Sequence, residues 1–128
     1  MSEIKVDTLT GKTTANDITV TVGATATMSL EQGLAKAWGH FEGSDTTLDD
    51  SFNTASLTDN STGNYTANFS NNMSNVNYYG NMNATDTSVC SPIASGYATS
   101  SFRFGIRSSA MGFIDKDDTT YLVSGDLA

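Results

Sequence analysis

The sequence predicts a mainly β domain, an antiparallel β-sandwich of jelly-roll-like build with one short helix. Three observations carry that expectation. Short runs alternate apolar and polar residues with the period of two that a half-buried strand needs, as in Ile18-Thr19-Val20-Thr21-Val22 and Phe102-Arg103-Phe104-Gly105-Ile106. Clusters of Asp, Asn, Ser and Gly separate the runs, as in Asp59-Asn60-Ser61-Thr62-Gly63. One segment, Met28 to Trp38, has helical spacing: Ser29 and Gln32 fit a capping box, and Leu30, Leu34 and Trp38 recur every four residues.

Taken in order, Ile4 to Leu9 alternates and Ile18 to Val22 alternates strictly, with a polar stretch from Thr13 to Asp17 between them and Gly23 closing the second run. Residues 1–22 carry little apolar area and read as an extended N-terminal anchoring arm, with the sandwich from 23 to 128. The helix should span Leu30 to Ala37, and Gly33 should weaken it by about 1 kcal/mol relative to alanine. As a plug for the sandwich or a three-fold interface, Trp38 would cost about 3–5 kcal/mol on truncation to alanine. Trp38 and Phe41 open the next strand. Phe52 to Thr58 and Tyr65 to Phe69 form the clearest hairpin around Gly63. Val76, Tyr78 and Gly80 alternate in a further strand. Asn83 to Ser95, with the one proline Pro92, reads as a loop. Phe102 to Ile106, Met111 to Ile114 and Tyr121 to Val123 complete eight or nine strands.

The totals restrict the function classes. At 128 residues one domain is expected. Hydrophobic content of 38% is low, so identical subunits are expected to bury further apolar surface. Net charge is −8 with six Lys and Arg, which argues against nucleic-acid partners and anionic membrane surfaces. No stretch approaches the roughly 20 apolar residues of a membrane span, and the first residues lack a secretory apolar core. The lone Cys90 has no activating neighbour in sequence and is expected to be a small buried side chain. Asn-x-Ser/Thr triplets begin at Asn60, Asn64, Asn68, Asn72 and Asn83, as chance produces in so polar a chain.

Candidate chemistry is sparse. The single histidine, His40, has no nucleophile-elbow motif to serve and reads as structural or surface. Asp115, Asp117, Thr119 and Asp126 echo a calcium loop, but Thr120 stands where glycine is needed, so a charged turn fits better. Asp45, Asp49 and Asp50 read as a solvated loop. No metal or cofactor is expected. Tyr78, Tyr79 and Tyr97 could stack on sugar rings, against a competing reading as packed strand aromatics.

Five ordered stretches carry a resemblance: Lys5 to Ala15, Leu30 to Trp38, Asp50 to Asn53, Leu57 to Thr66 and Gly125 to Ala128. Together they resemble small virion structural proteins of tailed bacteriophages, especially marine ones, of the tail-fibre or decoration kind. The resemblance spans most of the chain and brings no catalytic residues. It implies a non-enzymatic, β-rich, homotrimeric virion protein assembled in the host cytoplasm. Its partners would be other tail or capsid proteins and a host surface glycan or protein.

The expectation is therefore a surface fibre, spike or knob. Ile4, Val6, Leu9, Ile18, Val20 and Val22 would anchor it, and Leu30, Leu34 and Trp38 would fill an oligomer interface. The alternatives are a capsid decoration protein that cements the head and a carbohydrate-binding module facing its ligand through Tyr78, Tyr79 and Tyr97.

Overall fold

The computed structural model describes residues 3–11, 18–22 and 24–128. It divides into two compact units, Met1–Leu34 and Ala35–Ala128. In the first unit, β1 (Thr19–Val22) pairs antiparallel with β2 (Ala26–Ser29), from Thr19↔Ser29 to Val22↔Ala26. The Leu30 N–H extends this ladder by donating to the Ile18 carbonyl at 2.7 Å. The strict alternation of Val20 and its neighbours thus forms the expected strand. Residues 3–11 form none, and Ile4, Val6 and Leu9 are exposed. The polar stretch from Thr13 to Asp17 and the strand stop at Gly23 lie outside the described residues. The break between units falls at Leu34, twelve positions beyond residue 22, because β2 stays paired to β1.

The expected helix does not form. Residues 30–33 make one isolated turn, in which the Gly33 N–H donates to the Leu30 carbonyl and the Leu34 N–H to the Glu31 carbonyl, each at 3.2 Å. Helix nucleation is costly, and a run this short with a central glycine gains too few bonds to repay it. Strand pairing claims both ends instead: Met28 and Ser29 belong to β2, and Ala37 onward belongs to β3. The Leu30–Leu34–Trp38 stripe is therefore not a helix face. Leu30 is half-buried, Leu34 is exposed, and Trp38 is a strand residue.

The second unit is a sandwich of eight strands. One sheet contains β3 (Ala37–Phe41), β4 (Leu48–Phe52), β7 (Tyr79–Asn83) and β10 (Thr119–Ser124), in the order β4-β3-β10-β7. The other contains β5 (Thr54–Ser61), β6 (Asn64–Phe69), β8 (Val89–Ala98) and β9 (Ser101–Arg107), in the order β5-β6-β9-β8. All pairings are antiparallel. The order is not that of a jelly roll, in which most successive strands change sheet. Here β3–β4, β5–β6 and β8–β9 are neighbours within one sheet. Two-residue links, Thr62-Gly63 and Thr99-Ser100, oblige the last two pairs to lie side by side.

Pro92 does not mark a loop; it lies inside β8. That strand is an edge, where a residue without an N–H is tolerated, and its ladder shifts register between Pro92 and Tyr97. Residues Met111 to Ile114 form only the isolated bridge Arg107↔Phe113. Asn53 turns the chain from β4 into β5 at φ 53°, in the left-handed region that asparagine tolerates. Its amide donates to the Lys36 and Asn71 carbonyls at 2.9 and 3.0 Å and accepts from the Asn71 N–H at 2.6 Å.

Alternation places Ala37, Phe41, Tyr121 and Val123 inward from one sheet, and Tyr65, Ala67, Phe69, Phe102, Phe104 and Ile106 inward from the other. The sheets meet through Phe41 against Tyr65, with ring centroids 5.1 Å apart, and Phe104 against Tyr121 at 5.6 Å. Gly39 gives the Tyr121 ring its place, since a Cβ there would lie 2.7 Å from a ring carbon. The Tyr65 hydroxyl donates to Asp115 Oδ1 at 2.6 Å and lies 2.9 Å from the Gly43 carbonyl oxygen.

Burial pushes the hydroxyls of Tyr78 and Tyr121 up to about 12, and burial with the Asp115 carboxylate pushes Tyr65 up as well. A phenol ionises near 10 when unfolded, so above that pH the unfolded chain releases protons that the folded chain keeps. Stability is therefore present in full below about pH 10 and falls toward pH 12. Urea titrations across pH 8–12 should show this loss. A Tyr121→Phe variant should lose less between pH 10 and 12 than the parent; an equal loss in both would assign the effect to other groups.

Candidate functional site

The outer face of the β4-β3-β10-β7 sheet holds a shallow depression of about 440 Å³. It is lined by Trp38, His40, Tyr79, Asn81, Asn83, Thr120 and Leu122, over the backbone of Gly39 and Tyr121. Strand register explains why these side chains meet. Along β3, Ala37, Gly39 and Phe41 point into the core, which leaves Trp38 and His40 outside. Trp38 pairs with Leu122, which pairs with Asn81; His40 pairs with Thr120, which pairs with Asn83. Two cross-strand rows thus run over three strands, one with an indole and a leucine, the other with an imidazole and a hydroxyl, and each ends in an amide. Tyr79, 63% exposed, opens β7 beside them. Phe52 pairs with Trp38 from the edge strand and is half exposed.

One end of this face is acidic. The ladder shifts between His40 and Phe41, and Asp49 lies in that irregularity. The His40 ring has Asp49 Oδ2 3.4 Å from Nδ1 and Asp118 Oδ1 3.5 Å from Nε2. Asp50 pairs with His40 across the ladder. Glu42 is held above the ordinary carboxylate range by desolvation and by the charges of Asp117, Asp49 and Asp118. Asp117 is held below it by hydrogen bonds from the Ser44 side chain and from the Ser44 N–H, which donates to Oδ1 at 3.1 Å. Asp45 is lowered by hydrogen bonds from Thr47.

The carboxylates that echoed a calcium loop have other partners. Asp115 Oδ1 accepts from the Gly63 N–H and the Tyr65 hydroxyl, both at 2.6 Å, and joins the loop before β10 to the β5–β6 turn. Asp117 accepts from Ser44. Among the described residues, no group of three His, Cys, Asp or Glu side chains is placed to hold a metal. Cys90 is half-buried, and burial pushes its thiol up, away from the reactive thiolate.

The three tyrosines named from sequence separate. Tyr78 is a core residue, 5.0 Å from Tyr97 and 6.2 Å from Phe102 between ring centroids, with its hydroxyl on the Ala98 and Ser101 carbonyls. Tyr97 is half-buried and also packs on Phe102 at 5.1 Å. Tyr79 alone of the three lines the depression. Of the anchoring set, Ile4, Val6 and Leu9 are exposed, Ile18 and Val20 are half-buried in the first unit, and the Val22 side chain lies outside the described residues. Sequence reasoning missed His40, Asn81, Asn83, Thr120 and Leu122 as one surface. The available signal was the alternation Trp38-Gly39-His40-Phe41, which assigns Trp38 and His40 to the face opposite Phe41. Compared with known proteins, the chain matches no family model, no curated sequence and no solved structure.

Proposed function

We propose that this protein is a non-enzymatic structural protein of a bacteriophage virion. In this reading it is a homotrimeric surface fibre, spike or knob that the first unit fastens to the particle. One observation carries it: the first unit exposes Ile4, Val6 and Leu9 at 85, 60 and 59%. Three exposed apolar side chains within six residues, on a segment without strand partners among the described residues, fit a surface that another chain covers. An alternating segment can also add to an open sheet edge, where main-chain bonds supply affinity and alternate side chains supply selectivity. The resemblance of Lys5 to Ala15 and Leu30 to Trp38 to phage virion proteins supplies the particle.

Cryo-electron microscopy of intact virions tests this directly. Density for the chain projecting from the tail or a vertex, three copies about an axis, is the expected result. Density lying flat across capsomers would make it a head-cementing decoration protein, and absence from the particle would overturn the reading. The triple change Ile4→Asp, Val6→Asp and Leu9→Asp is expected to abolish incorporation. It should leave the unfolding free energy of the isolated protein within about 0.5 kcal/mol of the parent, as exposed sites do.

A further inference from the structure

We propose that the depression over Trp38 and Tyr79 is a binding site for a neutral saccharide. The proposal rests on the sandwich alone and stands whether or not the chain belongs to a virion. Its first support is shape and lining. The volume of about 440 Å³ lies within the range of about 300–1,000 Å³ common to small-molecule sites. A pyranose ring has a face of C–H bonds and a girdle of hydroxyls. The C–H bonds carry partial positive charge and suit the negative face of an aromatic ring, which Trp38 and Tyr79 supply. The hydroxyls need groups that both donate and accept, which the amides of Asn81 and Asn83 and the hydroxyl of Thr120 supply.

The second support is the state of those polar groups. Four other asparagines of the sandwich hold it together. Asn53 ties the β4–β5 corner, Asn60 donates to Thr66 Oγ1 at 2.9 Å, Asn64 accepts from Arg103, and Asn68 donates to Thr58 Oγ1 at 2.9 Å. Among the described residues, the side chains of Asn81, Asn83 and Thr120 make no hydrogen bond within the protein. They stand side by side in register on one face, with their hydrogen-bonding capacity free.

The third support is charge, which chooses among occupants. Asp49 and Asp118 flank His40 at one end, Asp50 pairs with it, and the chain carries −8 overall. Nucleic acids and uronic or sialic acid polymers would bring negative charge to an acidic rim, which like-charge repulsion opposes. An uncharged sugar meets no such barrier, and its hydroxyls can donate to the rim carboxylates.

Trp38 is the one tryptophan in the chain, so indole fluorescence reports on this site without ambiguity. The experiment titrates the full-length protein with neutral hexasaccharides of glucose (α- and β-linked), mannose, galactose and xylose, and with heparin as the anionic arm. The expected result is a saturable change in Trp38 emission with at least one neutral sugar and none with heparin. Tyr79→Ala and Asn81→Ala should each weaken that binding at least about tenfold, as loss of a central contact does. Val76→Ala, an exposed change outside the site, should not. No response to any neutral sugar up to about 10 mM, a weak-binding ceiling, overturns the proposal. A response indifferent to Tyr79→Ala and Asn81→Ala overturns it too. Emission that changes with protein concentration alone would make a second copy the occupant and overturn it equally.

Discussion

Gly63→Ala is expected to destabilise the protein by about 2–5 kcal/mol, a large part of the stability of an ordinary domain. Gly63 holds φ +63° in the two-residue link between β5 and β6, where an L side chain crowds its own carbonyl at a cost of roughly 1–2 kcal/mol. Space is a second, independent obstacle. A Cβ at Gly63 would lie 2.6 Å from the Ile106 oxygen and from both the nitrogen and the oxygen of Ile114. All three are backbone atoms, so relief requires moving β9 or the loop after it, and overpacking of this kind costs about 1–3 kcal/mol. The same residue donates to Asp115 Oδ1 at 2.6 Å and accepts from the Ile106 N–H at 2.8 Å, so any shift also loosens two hydrogen bonds. Gly112 is the control: a Cβ there meets nothing closer than the Ser108 hydroxyl at 3.9 Å. Urea unfolding should therefore move strongly for Gly63→Ala and within about 0.5 kcal/mol for Gly112→Ala. Equal midpoints for the two variants would refute the account of this turn.

The strands that the sequence made legible are those whose period of two coincides with a buried face. Tyr65-Ala67-Phe69, Phe102-Phe104-Ile106 and Tyr121-Val123 alternate, and all of these residues lie in the core. The turn at Gly63 was legible for the same local reason, because glycine chemistry and backbone need coincide. The helix was not, because residues 28–38 satisfy helical spacing and strand pairing at once, and only the long-range partners decide. β1 holds Ser29 and β10 holds Ala37 and Trp38. That single ambiguity hid the candidate site. A helical Trp38 faces inward with Leu34, whereas a strand Trp38 between Ala37 and Gly39 faces outward beside Leu122 and Asn81. Pro92 misled in a different way, since proline excludes a central strand but not an edge, and edge position is a property of the whole sheet. The pairing of β7 with β10, which brings Tyr79, Asn81 and Asn83 to Trp38, joins residues some forty positions apart and leaves no local signal.

The division of labour between the two faces also separates stability from recognition among the aromatics. Phe41, Tyr65, Phe102 and Phe104 are fully buried, and Phe41 meets Tyr65 and Phe104 across the sandwich. Trp38, Phe52 and Tyr79 stand on the opposite side of the β4-β3-β10-β7 sheet. Trp38→Ala should then be a mild change for stability, in contrast to the cost expected of a buried plug, and a severe one for any ligand held in the depression.

Phe104→Ala sets the scale for that contrast and is expected to cost about 3–5 kcal/mol, the usual penalty for emptying a buried phenylalanine site. Phe104 is 0% exposed at the centre of β9, and four other rings surround it. Their centroids lie 5.5 Å away at Phe102, 5.6 Å at Tyr121, 6.0 Å at Phe41 and 6.1 Å at Tyr65. Two of these rings come from the facing sheet, so removal opens a void between layers, and neighbours pinned by their own hydrogen bonds cannot close it. The Tyr65 hydroxyl is held by Asp115, and the Tyr121 hydroxyl by Thr54. The cavity should stay open, which places the cost toward the upper end, since the penalty grows with residual cavity volume. Phe104→Leu should recover most of the loss by refilling that volume. Guanidinium unfolding of the parent, Phe104→Ala, Phe104→Leu and Trp38→Ala should rank the alanine variant at Phe104 well below the one at Trp38. If Trp38→Ala proves the more costly, the outward placement of the indole is wrong and the saccharide site falls with it.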